Sequence, residues 1–117
     1  MVGVDIIEVD RIAKGIEKHG RKFIEKLFTP NEIAYCENHV NKLQRYAARF
    51  AIKEAVAKVI KKGPKPYWQD IAVTNREDGS PEVILSERLL KIFPHPISIS
   101  ISHVKDYAVG MAVAYPK

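Results

Sequence analysis

The sequence predicts an α+β fold, helices packed on a mainly antiparallel sheet in the order β-α-α-α-β-β-α-β-β. Three observations carry that expectation. Helices and strands fall partly in runs instead of alternating one for one. The strand-like segments at 71–85 and at 97–115 read as hairpins. With 117 residues, 46% of them hydrophobic, the chain is the size of one domain (residues 1–117) and large enough to bury a core without disulfides.

The apolar opening, Val2 to Ile7, is a strand. Asp10 to Leu27 follows helical periodicity, with a candidate break at His19-Gly20, since Gly often closes a helix. Thr29-Pro30-Asn31-Glu32 starts a short helix that runs to about His39. Thr29 caps it, Pro30 takes the first helical position, and Glu32 completes a capping box. A long helix spans roughly Asn41 to Lys62 and ends near Gly63-Pro64. Ile71 to Asn75 and Glu82 to Leu85 pair, with Asp78-Gly79 in the turn. Ser86 caps a short helix to Phe93. Ile97 to Ser102 and Tyr107 to Tyr115 close the chain as a hairpin.

Composition excludes several classes. No run of 18 apolar residues exists, so no membrane-spanning helix is expected. An acid, Asp5, stands where a signal peptide carries basic residues. The single cysteine, Cys36, excludes an intrachain disulfide framework and a thiolate zinc site. A soluble cytoplasmic protein is expected. The net charge is +5, and its distribution is uneven. Residues 1–65 hold fourteen Lys/Arg against eight Asp/Glu, while 66–117 hold five against six. A basic half suits an anionic partner as well as it suits solubility.

Candidate site residues are those that break their local pattern. Asp5 sits inside an apolar strand, where a carboxylate must be exposed at an edge, paired, or bound to a cation. On the long helix, Leu43, Ala47, Phe50, Ala51 and Glu54 share one face, and Arg45, Arg49 and Lys53 share another. Glu54 therefore lies in the stripe that packs inward, with Lys58 one turn on. An i,i+4 ion pair explains that spacing but not its apolar setting. A cation beside a phosphate explains both, because Mg²⁺ takes one or two carboxylates plus substrate phosphates. In Ser98-Ile99-Ser100-Ile101-Ser102-His103 the serines and isoleucines alternate, and His103 falls at the strand end. A His there is a candidate phosphate contact or acid/base group, though a lone His is more often structural. Arg11, Lys14, Lys18 and Lys22, flanked by Arg21, form a basic stripe with no acid inside it. His19, His39 and His95 find no partner in the pattern, and Cys36 reads as a small buried side chain. No P-loop, nucleophile elbow or His-Glu-x-x-His motif is present.

Four segments, in order along nearly the whole chain, resemble the holo-[acyl-carrier-protein] synthases, the small trimeric bacterial type of 4′-phosphopantetheinyl transferase. They are Gly3-Val4-Asp5-Ile6-Ile7-Glu8-Val9-Asp10-Arg11-Ile12, Phe28-Thr29-Pro30-Asn31-Glu32, Arg49-Phe50-Ala51-Ile52-Lys53-Glu54-Ala55-Val56-Ala57-Lys58, and Ser100-Ile101-Ser102-His103. The resemblance implies transfer of 4′-phosphopantetheine from coenzyme A to a serine of apo acyl carrier protein, with adenosine 3′,5′-bisphosphate leaving. It implies Mg²⁺ on Asp5 and Glu54, phosphate contacts from Lys58 and His103, and a coenzyme A contact from Arg49. It further implies a homotrimer with sites at subunit interfaces. The acidic carrier protein would dock on Arg11, Lys14, Lys18, Arg21 and Lys22. Two loops depart from the family pattern. Val59-Ile60-Lys61-Lys62-Gly63-Pro64 stands where a Gly-Thr-Gly turn is usual, and Gly79-Ser80-Pro81 where Gly-Lys-Pro is usual. Both are expected near coenzyme A, with Lys61, Lys62 or Lys65 replacing the charge lost at Ser80.

The chemistry agrees with that assignment. Attack on a phosphoanhydride builds charge on phosphate oxygens, which Mg²⁺ and a Lys stabilise. The serine proton needs a base, and Glu54 and a water at the metal are both candidates. Two other classes use the same features: a basic nucleic-acid-binding module and another Mg²⁺-dependent phosphoryl-transfer enzyme. Against the first, aromatics are not interleaved with Lys/Arg on a predicted sheet face, so no nucleic-acid partner is expected; without an apolar span, no membrane partner is expected either.

Overall fold

The computed structural model describes residues 1–60 and 68–115. Its elements are β1 (Val2–Glu8), α1 (Val9–His19), α2 (Arg21–Leu27), α3 (Pro30–Glu37), α4 (Lys42–Val59), a 3₁₀ turn (Trp68–Asp70), β2 (Ile71–Asn75), β3 (Pro81–Leu85), α5 (Glu87–Ile92), β4 (Ile97–His103) and β5 (Tyr107–Ala114). The α+β architecture and the antiparallel pairing are as expected. The expected break at His19-Gly20 divides the first helix into α1 and α2, with Gly20 at φ 64°, a conformation that favours glycine. Helix α4 ends at Val59, with Ile60 N donating to Val56 O as its cap, short of the end expected near Gly63-Pro64; Lys61, Lys62 and Lys65 lie outside the described residues.

Two antiparallel sheets form. One has the order β1-β5-β4, and the other pairs β2 with β3. Helix α4 crosses the inner face of the three-stranded sheet at very close range. A Cβ at Gly110 of β5 would come 2.6 Å from the Ala51 carbonyl carbon and the Ile52 nitrogen, and one at Gly3 of β1 would strike the Ala55 carbonyl. These glycines let backbone rest on backbone, and a side chain at either would push α4 off the sheet.

The local signals hold at both helix starts. Thr29 Oγ1 accepts from Glu32 N and Glu32 Oε1 accepts from Thr29 N, a complete capping box. Ser86 Oγ accepts from Leu89 N at the head of α5. The face of α4 that carries Arg49 and Lys53 is buried as well, because α3 and β2 pack over it. Lys53, fully buried, donates to Glu32 Oε1 (2.6 Å) and to Leu27 O (2.7 Å), and Val73 N donates to Glu32 Oε2 (2.7 Å). One ion pair thus ties the end of α2, the start of α3, strand β2 and helix α4 together. Cys36 is fully buried, and burial pushes its thiol up to about 11, which rules it out as a ready nucleophile.

Candidate active site

Asp5 faces inward from β1, between Gly3 and Ile7 in the strand alternation and opposite Gly110 of β5. The close seat of α4 brings its carboxylate to Glu54 and Lys58, one turn apart on that helix. Lys58 Nζ donates to Asp5 Oδ1 (2.8 Å) and to Val4 O (2.9 Å). The i,i+4 pairing of Lys58 with Glu54 is therefore not what forms, since the strand offers the ammonium two acceptors. Glu54 is held above its ordinary value of 4.5 by partial burial first and by the Asp5 charge second, with Arg11 and Lys58 pulling the other way.

This donor set fits Mg²⁺. Two hard carboxylates converge against one ammonium, and their mutual repulsion is left only partly compensated. Among the described residues no group of three His, Cys, Asp or Glu gathers, so an ion here would meet two carboxylates of this chain and not a full cage. That is the usual arrangement for Mg²⁺ held jointly with substrate phosphates.

Arg49, Gly79, Pro81 and His103 line a second place, a cleft of about 300 Å³ shared with Tyr35, Arg45 and Asn75. His103 is the last residue of β4, on the inward face with Ile97, Ile99 and Ile101. The Arg49 guanidinium lies over the Tyr35 ring at 4.1 Å and donates to Asn75 Oδ1 at 2.6 Å. Asn75 Nδ2 in turn donates to Gly79 O at 3.0 Å, which fastens the β2–β3 turn to α4. Arg45 reaches the Tyr35 hydroxyl at 3.2 Å. Tyr35, Arg45 and Asn75 were not among the expected site residues. Their signal is tertiary, because nothing in a helical Tyr or a strand-end Asn announces that an Arg from another element will rest on it.

Helix α4 divides the two places. It lies over β5, with β1 on one flank and β4 on the other. Asp5, Glu54 and Lys58 gather at β1, while Arg49 and His103 gather at β4. Arg49 and Glu54 stand about 140° apart at the helical period. Lys58, expected to share a ligand with Arg49, Gly79, Pro81 and His103, is on the opposite side of α4 within one subunit.

Glu54 opens into a further cleft of about 540 Å³, walled by Phe23, Leu27, Phe50 and Trp68 and bordered by Arg11, Lys22 and Lys26. The Arg11 guanidinium rests over Phe50 at 5.5 Å. The basic stripe is not one helix face: Arg11, Lys14 and Lys18 lie on α1, and Arg21 and Lys22 on α2. It also has acids beside it. Lys14 meets Asp10 at 3.0 Å and Arg21 meets Glu25 at 3.5 Å, all exposed.

A helix is thus seated on a small antiparallel sheet, with paired carboxylates at one flank and an Arg/His cleft at the other. The family model of the 4′-phosphopantetheinyl transferase superfamily matches residues 1–112, and the chain belongs to that superfamily. Within it, the chain is similar to the holo-[acyl-carrier-protein] synthase of Thermodesulfovibrio yellowstonii, 50% identical over 96% of this chain and 95% of the relative. It is also similar to the one from Solibacter usitatus, 46% identical over 94% and 91%. Among solved structures, the Helicobacter pylori holo-[acyl-carrier-protein] synthase in complex with coenzyme A superposes with a TM-score of 0.89 at 30% identity. It covers 98% of this chain and 100% of its own. The Bacillus anthracis holo-(acyl-carrier-protein) synthase in complex with CoA (3′,5′-ADP) gives 0.80 at 34% identity, over 97% and 93%.

Proposed function

We propose that the protein transfers 4′-phosphopantetheine from coenzyme A to a serine of apo acyl carrier protein in fatty-acid synthesis, as a Mg²⁺-dependent cytoplasmic homotrimer. The observation that carries this reading is the convergence of Asp5, Glu54 and Lys58, from strand and helix, on the positions where the resembling family binds metal and phosphate. In the reaction the serine Oγ–P bond forms, the phosphoanhydride P–O bond breaks, and adenosine 3′,5′-bisphosphate leaves. Mg²⁺, when bound by Asp5 and Glu54, supplies charge stabilisation at the phosphates. Lys58 offers a second cation to the same oxygens. The serine proton needs an acceptor, and Glu54 and a water at the ion are the two candidates. Arg49 and His103, with Gly79 and Pro81 shaping the turn, form an anion-binding wall for the nucleotide end. Arg11, Lys14, Lys18, Arg21 and Lys22 are exposed, and Arg11 and Lys22 border the cleft at Glu54, where an acidic carrier would present its serine.

The separation of the two half-sites by α4 supports assembly, since a neighbouring subunit's Arg49 cleft would complete the metal half of this one. A face for that contact exists. On the sheet surface turned away from α4, Val2, Val4 and Ile6 of β1 stand beside Val113, Met111 and Val109 of β5, with Ser98, Ser100 and Ser102 next on β4. Val2, Val4, Ile6 and Met111 are exposed, and a contiguous apolar patch of this kind marks an interaction surface. The test is mass spectrometry of apo acyl carrier protein incubated with the enzyme, coenzyme A and Mg²⁺. A gain of one phosphopantetheine is expected. Release of free phosphopantetheine with the carrier unmodified would make the protein a hydrolase instead.

A further inference from the structure

We propose that Lys58 serves as a built-in cation that occupies Asp5 until a phosphate draws it away, so that divalent metal and coenzyme A bind this site cooperatively. The inference rests on the metal reading of Asp5 and Glu54 given above. Lys58 Nζ stands 2.8 Å from Asp5 Oδ1, with Val4 O as its second acceptor at 2.9 Å. The two partners differ in freedom: the Asp5 side chain is 17% exposed, the Lys58 side chain 51%. The carboxylate is held by its strand, while the ammonium sits at the end of a flexible stem with open solvent beside it. Glu54, one turn away on the same helix, makes no ion pair with it and stays only partly compensated. The ammonium is thus committed to the strand carboxylate through Oδ1.

A metal cannot simply join this arrangement. Mg²⁺ binds oxygen at about 2.0–2.1 Å. A dication on the same oxygen, Asp5 Oδ1, would lie roughly 4 Å from the ammonium, where like charges repel. Without coenzyme A, a metal on that oxygen therefore competes with Lys58 for it. Coenzyme A changes this balance, because its phosphates give the ammonium an acceptor group beside the site. Phosphate removes the competitor for the metal, and metal removes the internal partner of Lys58. Each ligand then raises the affinity of the other by the same factor.

The experiment measures Mn²⁺ binding by the loss of the free-ion electron paramagnetic resonance signal, with and without coenzyme A and with no carrier protein present. Wild type, Lys58→Met, Lys58→Gln and Asp5→Asn are compared, each checked by thermal melting. Lys58→Met keeps the stem and removes the charge, and Lys58→Gln guards against a packing effect of the thioether. Without coenzyme A, both Lys58 variants are expected to bind Mn²⁺ about fivefold or more tighter than wild type, the low end of usual coupling strengths. Coenzyme A is expected to tighten Mn²⁺ on wild type and to do so less on the variants. Lys58 variants that bind Mn²⁺ alone no tighter than wild type, while coenzyme A still promotes an Asp5-dependent Mn²⁺ site, would overturn the inference and leave the metal reading standing. Wild type with coenzyme A binding no more Mn²⁺ than Asp5→Asn would overturn both.

Discussion

Glu54 is a carboxylate in a stripe that otherwise buries Leu43, Ala47, Phe50 and Ala51, and the fold accepts a cost there. Burial and Asp5 raise its proton affinity, so between 4.5 and the raised folded value the native state binds more proton than the unfolded chain. Stability from this group is full at low pH, falls as pH rises through that window, and stays lower above it. Glu54→Gln has no proton to lose. In EDTA at pH 7 it is expected to melt at or above wild type, with the gap closing below pH 4.5, while adding Mg²⁺ to coenzyme A raises the melting temperature of wild type more than that of the variant. A Gln variant melting several degrees below wild type in EDTA would make Glu54 part of a structural ion cluster instead. Asp5, Glu54 and His103 were legible as pattern breaks: an acid in an apolar strand, an acid in an apolar stripe, a His ending a Ser/Ile alternation. The partner of Lys58 was not, because spacing along a helix shows Glu54 as its neighbour and cannot show a strand more than fifty residues earlier in the chain. Arg49 was legible as a motif residue, but its seat on Tyr35 and its bond to Asn75 depend on how the β2–β3 hairpin docks.

At the scale of elements, the start of α3 carries more than its capping box announces. Thr29 and Glu32 were readable as reciprocal caps, since that signal is local and helix ends need their free N–H groups satisfied. The second duty of Glu32, neutralising Lys53 inside the core, needed the packing of α4 against α3 and β2. Both side chains have essentially no exposure (0% for Lys53 and 1% for Glu32), and burial lowers the Lys53 pKa, with Glu32 opposing that fall. Removing one partner strands the other. Glu32→Ala is expected to destabilise by about 3–5 kcal/mol in urea unfolding, because it leaves an uncompensated buried ammonium. Thr29→Ala, which loses only the cap, is expected to cost about 1 kcal/mol. The double variant Glu32→Leu with Lys53→Met should recover most of the Glu32→Ala loss, as apolar replacement of a buried pair often does. A double variant no more stable than Glu32→Ala would show that the bonds to Leu27 O and Val73 N, and not the charge balance, hold the four elements together.

For the whole molecule, hairpin signals gave β2 with β3 and β4 with β5, because turns are local. They did not show that β5 is the central strand with β1 on its far edge, a pairing between the two ends of the chain. That pairing makes the inner sheet face a platform with α4 down its middle, Asp5, Glu54 and Lys58 on one flank, and Arg49 and His103 on the other. If a site is built across a subunit contact, a defect in one half can be repaired by a neighbour defective in the other. On the proposed reading, Glu54→Ala would remove the metal half and Arg49→Ala the nucleotide half, and each variant alone should be inactive. In a ring of three heterologous contacts, any mixed trimer holds one site with Glu54 from one variant and Arg49 from the other. Random mixing of equal amounts, after dissociation and reassembly, should therefore restore about a quarter of wild-type transfer activity. Size-exclusion chromatography with light scattering checks that the mixture is trimeric, and a carrier-modification assay reads the activity. A mixture as inactive as its components, with exchange shown by mass-tagged subunits, would mean that both halves act within one chain. The ligand would then have to reach around α4, and the apolar face of Val2, Val4, Ile6 and Met111 would serve assembly alone.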